Sequence, residues 1–488
     1  LLISRFLSRT KKFVKHTKIL ATFGPAIDDP DRLRELVSAG VNLFRVNCSH
    51  GESADFCRAA ATIRQATARA CFPIGLLFDI SGPKLRLDRF EGSLDIAEGT
   101  ELTLVADRTD LAHRLIAVNH PAVIASLRVD DRLFMDDGQF LFHVTARTEQ
   151  AVTVRSHSSG KLLGGKGINL PGVPLPIPTI TAKDRQDIET AVRCGADYIA
   201  LSFVRSADDV VQARELIAAA GGGPKVIAKL EKREAIDRLD EIMSAADGVM
   251  IARGDLGVEL PPEVLPRLQR HIIKVANKFH KPVIVATQML ESMRFNPRPT
   301  RAEVNDVASA VLDFVDAVML SAETATGKFP VEAARMMTQV ITATEEALPA
   351  ASAVRVERTV TDPVPQAIAD AVSFVQEQGT ARVVFAFTSS GFTAQLISNL
   401  FSPYPIIALT LNRCVMSALS LHRSVYPVLV EQPASFDEIA RLVSAIGRAY
   451  AGVRPGDRVV VTGGAPFGQM KPTNFMMIVT ILDERESG

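Results

Sequence analysis

Six short apolar runs in this chain end in groups that handle charge or protons. LFRVNCS supplies Arg45, Asn47 and Ser49, GLLFDIS supplies Asp79, and KVIAKLE supplies Lys229 and Glu231. VMIARGD carries Arg253 and Asp255, PVIVATQ carries Thr287 and Gln288, and AVMLSAE carries Ser321 and Glu323. Residues two apart on a strand share a face, so Arg45, Asn47 and Ser49 converge, as do Lys229 and Glu231. These are the parts that phosphoryl transfer requires. Glu231 and Asp255 suit Mg2+, which takes one or two protein carboxylates and completes its octahedron with water or substrate oxygens. Mn2+ accepts the same hard donors. Lys229 would stabilise a phosphoryl group in flight, and Arg45 offers it a planar fork. A buried ion-pair network that merely closes a fold would explain one such run. Six such ends, five of them charged, would be a costly way to pack a core without chemistry.

To converge, the runs must be strands of one closed sheet. They are too short for helices and too uniformly apolar for a sheet with one wet face, which is the pattern of buried parallel strands. A half-repeat of amphipathic helix, tight turn and apolar run recurs at Gly40-Val41-Asn42, Gly195-Ala196-Asp197, Ala246-Asp247-Gly248 and Val315-Asp316. Adding TKILATFG from Thr17 and YIALSF from Tyr198 brings the runs to eight. Eight βα units predict an α/β fold, the (β/α)8 TIM barrel, with its chemistry at the C-terminal strand ends. Between Ser81 and Tyr198 lies far more chain than one crossover needs. ELTLVA, RLFMDDGQFLFHV and AVTVRS alternate there with turns, predicting an inserted small β-barrel domain. Asp136-Asp137-Gly138 reads as a β-turn and Gly221-Gly222-Gly223 as a helix-to-strand loop. Beyond Thr361-Asp362-Pro363, read as a linker, RVVFAFTSSG, PIIALTLN, VYPVLV and DRVVVTGG predict a C-terminal α/β domain. The expected division is residues 1–82 with 178–350 for the barrel, 83–177 for the insertion, and 351–488 for the last domain.

Lysine plus arginine balances aspartate plus glutamate at 55 each, which argues against a global affinity for nucleic acid or anionic membrane. No apolar run reaches the roughly 20 residues of a membrane span. Cys48, Cys57, Cys71, Cys194 and Cys414 are scattered and read as reduced thiols of a cytoplasmic protein, neither disulfide frame nor zinc site. The histidines show no metal spacing. Leu1 to Lys18 is basic and free of acidic residues, and reads as a solvated arm in preference to a transit peptide.

The motifs TKILATFGPA, FRVNCSHG, FDISGPKLR, IAKLEKREAIDRLDEI, IARGDLGVEL, ATQMLESM, PTRAEVNDVASAV and MLSAETATGKFPVEA together resemble the pyruvate kinase family, from about Thr17 to the C-terminus. The resemblance implies transfer of a phosphoryl group from phosphoenolpyruvate to ADP, the last step of glycolysis, on a homotetrameric enzyme. It assigns Arg45 and Lys229 to the phosphoryl group, Glu231 and Asp255 to Mg2+, and the Gly254 backbone to the substrate. Thr287 falls on the proton path to the enolate carbon. Asn47, Ser49 and His50 are placed near the nucleotide phosphates, with Arg86 and Lys166 reaching in from the insertion as it closes and excludes water.

The sequence departs from the family pattern at the monovalent-cation site, made of the positions of Asn47, Ser49, Asp79 and Ile80 with a nearby glutamate. Here Ile80 replaces the usual threonine and Lys84 the glutamate, which resembles the branch needing no K+. Thr388-Ser389-Ser390-Gly391-Phe392-Thr393 precedes a predicted helix and reads as a phosphate cradle or simply as a helix cap. In the family this loop takes a sugar-phosphate activator; a nucleotide activator is also compatible. Its partner loop, Gly463 to Asn474, departs from the glycine-rich family pattern. Two rivals are a metal-dependent aldolase acting on an enolate, which needs neither insertion nor ADP, and a metabolite-binding regulator, which should have lost part of the charged set.

Overall fold

The computed structural model describes residues 15–348, 362–402, 404–466 and 471–483. Eight parallel strands close into a barrel: Lys18–Thr22, Leu43–Asn47, Gly75–Ile80, Tyr198–Leu201, Lys225–Leu230, Gly248–Ala252, Val283–Ala286 and Ala317–Leu320. The first strand pairs with the second, Leu20 opposite Leu43, and with the eighth, Lys18 opposite Ala317. All eight are the runs predicted as strands.

Residue type changes with height along the inward rows. Leu43 precedes Arg45 and Asn47, Leu77 precedes Asp79, and Ile227 precedes Lys229 and Glu231, at two-residue steps. Leu43, Leu77 and Ile227 pack with Leu20, Tyr198, Met250 and Ile284 to fill the barrel. The charges therefore sit one layer higher, at the C-terminal mouth. A second apolar layer, including Ile19, Phe44, Phe78, Ile199 and Val283, joins the strands to the surrounding helices. Burying each such side chain contributes roughly 1.5–3 kcal/mol. Thr181 and Thr300 form capping boxes with Asp184 and Glu303, starting the helices Ala182–Arg193 and Arg301–Leu312. Each cap contributes about 1 kcal/mol and fixes where the chain leaves the barrel rim.

The insertion follows the third strand. Its six-stranded mixed sheet and two-stranded antiparallel sheet share a core that includes Leu104, Leu133, Phe140, Phe142 and Val154. Asp136, Asp137 and Gly138 make the expected turn, all at positive φ. Gly221, Gly222 and Gly223, also at positive φ, join Ala207–Ala219 to the fifth barrel strand.

The C-terminal sheet has the order Val425–Leu429, Ile406–Thr410, Val384–Phe387, Arg458–Gly463, Phe475–Thr480. The last strand runs antiparallel and was not anticipated. It is an edge strand burying only Val479 deeply, although its sequence is continuously apolar from Phe475 to Val479. Asp362 and Pro363, read as linker, instead cap and start the helix Pro363–Glu377, the Asp362 side chain accepting from Val364 N. Thr361 lies outside the described residues, as does the N-terminal arm up to residue 14.

This domain closes the N-terminal end of the barrel. Ala418 and Leu421 join the barrel's inner apolar cluster, and the Tyr198 hydroxyl donates to Ala418 O. A charged layer seals the junction. Asp316 accepts from Arg423 N and Val283 N, both at 3.0 Å, and Glu345 accepts from His16 N at 2.7 Å and Thr17 N at 2.8 Å. Lys18 Nζ donates to Val425 O at 2.7 Å. Burial lifts the Asp316 carboxyl to about 6 against the pull of these backbone N–H groups.

The cysteine expectation needs correction. Cys57 and Cys194 form a disulfide with Cα atoms 5.6 Å apart. They lie on the neighbouring helix Ser53–Thr67 and at the end of Ala182–Arg193, a pairing that a sequence separation of 137 conceals. Cys48, Cys71 and Cys414 are free thiols. Among the described residues, no helix is long and apolar enough to cross a membrane.

Candidate active site

Lys229 stands at the centre of the mouth. Its Nζ lies 2.8 Å from Glu231 Oε1 and 3.0 Å from Asp79 Oδ1, and donates to Ser202 Oγ at 2.7 Å. Arg45 Nε meets the other Asp79 oxygen at 2.6 Å, and Arg45 Nη1 donates to Thr22 Oγ1 at 3.2 Å. Glu231 Oε2 accepts from Phe203 N at 2.8 Å. Burial alone would strip the Lys229 proton, but Asp79 and Glu231 overcome it and hold the ammonium above its ordinary pKa. Burial likewise opposes ionisation of Asp79, and Lys229 with Arg45 reverses that, leaving a carboxylate below its ordinary range. Glu231 is pushed upward, first by burial and further by the Asp255 carboxylate, with Lys229 opposing.

Ser202 and Thr22 belong to this constellation and were missed. The rule that found the others applied to both, since Ser202 directly follows the strand Tyr198–Leu201 and Thr22 ends the strand Lys18–Thr22. Hydroxyls simply stand out less than charges in an apolar run.

Asp255 lies on the short helix Arg253–Glu259, which begins as the sixth strand ends. Gly254 N donates to Thr287 Oγ1 at 2.8 Å, joining the sixth and seventh strand ends. The proposed nucleotide residues form a looser rim. Asn47 Oδ1 accepts from Ser49 N at 3.2 Å, Ser81 Oγ donates to Ser49 Oγ at 3.1 Å, and His50 is exposed. Within the insertion, Arg86 Nη1 donates to Gly165 O at 3.1 Å and Lys166 pairs with Asp136 at 2.8 Å. In the expected monovalent-cation group, Asn47 lies opposite Asp79 on the paired second and third strands. Asp79 is engaged by Lys229 and Arg45, Ile80 is fully buried, and Lys84 Nζ lies 3.8 Å from Asp255 Oδ1. A lysine four residues past the strand end reaches across the mouth, a direction that sequence spacing cannot give.

In the C-terminal domain, Thr388 Oγ1 accepts from Gly391 N at 2.8 Å and Ser390 Oγ from Phe392 N at 3.4 Å. Thr393 Oγ1 meets Thr473 Oγ1 at 2.6 Å, while Ser389 and Ser390 are exposed. The loop hydroxyls thus bond the N–H groups just ahead of and at the start of the helix Phe392–Ser398, whose N-cap is Gly391. Residues 467–470 of the facing loop lie outside the described residues.

Residues 14–334 match the family model for the pyruvate kinase barrel domain, and residues 366–479 match that for the pyruvate kinase alpha/beta domain. The chain belongs to the pyruvate kinase family. It is 39% identical over 478 residues to a pyruvate kinase of Geobacillus stearothermophilus, covering 96% of this chain and 81% of that protein. Pyruvate kinases of Methylorubrum extorquens and Mycobacterium tuberculosis are each 39% identical, over 474 residues (96% of this chain, 98% of theirs) and 463 residues (94% and 97%). As a pyruvate kinase, the chain is a phosphotransferase that passes the phosphoryl group of phosphoenolpyruvate to ADP, giving pyruvate and ATP in glycolysis. The match removes the aldolase reading, and the charged set that a regulator should have lost in part is complete.

Proposed function

We propose that the barrel mouth performs this reaction with Lys229, Arg45 and Thr287 as its working side chains. The observation that carries the proposal is the buried Lys229 ammonium held between Asp79 and Glu231. Arg45 binds the phosphate of phosphoenolpyruvate through its planar fork. Lys229, kept protonated by its two carboxylates, stabilises the charge spread over the phosphoryl oxygens in transit. The Gly254 backbone and Asp255 orient the substrate, and Thr287 hands a proton, through water, to the enolate carbon. Asn47, Ser49 and His50 line the path of the nucleotide phosphates. Arg86 and Lys166 arrive with the insertion, residues 83–177, whose closure keeps water from competing with ADP.

Glu231 and Asp255 fit Mg2+ as a carboxylate pair, and their mutual repulsion is what a divalent cation relieves. When bound, the ion supplies Lewis-acid stabilisation of the enolate and carboxylate oxygens. Mn2+ suits the same donors.

Lys84 brings a fixed positive charge to the mouth, and the enzyme turns over without K+. The barrel domain spans residues 1–82 and 178–350. The C-terminal domain, 351–488, is the regulatory one, its Thr388 to Thr393 loop taking a sugar-phosphate or nucleotide activator. The assembly is a cytoplasmic homotetramer. The test is pyruvate formation from phosphoenolpyruvate, ADP and Mg2+ in K+-free buffer and again with K+. Near-equal rates are expected. Strong dependence on added K+ would sink the role of Lys84, and no turnover in either would sink the site.

A further inference from the structure

Thr287 and Gln288 are both left-handed, with φ of 69° and 54°. A β-branched residue rarely adopts this conformation, and two such residues in succession persist only where the surroundings over-determine them. Side chains on both sides of this turn do so. Arg253 Nη2 donates to Thr287 O at 2.7 Å, reaches Gln288 O at 3.3 Å and touches Met289 Sδ at 2.9 Å. Its Nη1 is anchored 2.7 Å from Asp306, on the helix Arg301–Leu312. From the far side, Glu323 accepts from Leu290 N at 3.1 Å. The segment after the seventh strand is therefore clamped at both ends.

The consequence falls on one hydroxyl. Thr287 Oγ1 accepts from Gly254 N at 2.8 Å and donates to Ala286 O at 2.6 Å. The residue that gathers the Thr287 and Gln288 carbonyls is thus the chain neighbour of the residue whose N–H holds the Thr287 hydroxyl. We infer that Arg253, braced by Asp306, is a positioning residue for proton delivery, holding the left-handed Thr287–Gln288 turn so that the Thr287 hydroxyl stays at the mouth. This rests on the proposed role of Thr287. A lysine at 253 carries its three donors on one nitrogen and lacks the rigid fork whose two nitrogens reach the carbonyls and Asp306 separately.

The test uses the full-length enzyme and its variants Arg253→Lys, Asp306→Asn and Thr287→Val, each with Mg2+ and ATP. The exchange of pyruvate methyl hydrogens with D2O is followed by NMR, beside steady-state ATP formation from phosphoenolpyruvate and ADP. Thr287→Val should lose exchange by about 100-fold, Arg253→Lys by roughly 30-fold and Asp306→Asn by about 5-fold. KM for phosphoenolpyruvate should move by less than about threefold in each, a split that general loosening would not give. If Thr287→Val loses exchange while Arg253→Lys or Asp306→Asn stays within about threefold of wild type, the positioning role is overturned and the Thr287 role stands. If Thr287→Val itself retains exchange, the proton role of Thr287 falls and the inference falls with it. Asp306→Asn leaves Arg253 in place, so it decides the matter even if Arg253→Lys fails to fold.

Discussion

At the C-terminal mouth of the barrel, Lys229 meets Asp79 and Glu231 side chain to side chain, and Arg45 closes on the other Asp79 oxygen. At the opposite end, Asp316 and Glu345 take most of their hydrogen bonds from backbone N–H groups, those of Val283, Arg423, His16 and Thr17. Both layers are buried and both perturb their ionisable groups. They differ in what their partners can do. A backbone N–H cannot move to a substrate, so the lower carboxylates are fixed as a seal between barrel and C-terminal domain. An ammonium on a flexible stem can turn to an incoming phosphoryl group, and Asp255, a quarter exposed beside the mouth, opens the upper layer to solvent. Buried charge alone does not mark an active site. Side chains paired with side chains at an open mouth are the better sign.

Substitutions that treat the two ends alike sharpen this contrast. Glu231→Gln should lower kcat on the order of 10³-fold, as expected for removing a group aimed at the reacting charge, with the melting temperature little changed. Glu345→Gln, at the other end, should leave kcat per folded molecule within about threefold and lower the melting temperature clearly. Equal loss of kcat in both would break the contrast. Arg423→Met removes the cation lying 3.7 Å from Glu345 and should cost about 1–3 kcal/mol, read by denaturant unfolding, because Glu345 keeps its backbone donors but loses its nearest opposite charge. A smaller effect belongs to Lys84→Glu, for which K+ should raise turnover by about tenfold where wild type gains little.

A graded effect appears in pH. Burial, opposed by Glu345, lowers the Lys15 pKa from 10.5 to about 7. Between those values the unfolded chain holds a proton that the folded protein lacks, so stability rises with pH across that window. Its slope is at most about 1.4 kcal/mol per pH unit. The gain is complete above the unfolded pKa and absent below about 7. Lys15→Met should flatten the rise, and thermal melts from pH 7 to 10 would measure it. An unchanged slope would contradict the burial of Lys15 as the cause of its lowered pKa.

Much of the upper end was legible because its signals are local. A five-residue apolar run announces a buried strand, and i, i+2 spacing places Lys229 with Glu231 and Arg45 with Asn47 on one face. The lower end was not legible. His16, Asp316, Glu345 and Arg423 come from distant parts of the chain and meet only because the C-terminal domain docks beneath the barrel. The same limit hid the Cys57–Cys194 pairing and the reach of Lys84 to Asp255. Local periodicity says which way a residue faces, and says little about what crosses from another element to meet it.

The most direct test is single-turnover ATP formation from phosphoenolpyruvate and ADP with Mg2+, comparing wild type, Lys229→Met and Lys18→Met. The charged mouth predicts a fall of about 10³-fold for Lys229→Met with phosphoenolpyruvate binding largely kept, and a near wild-type rate for folded Lys18→Met. A folded Lys229→Met enzyme that forms ATP at the wild-type rate would contradict it.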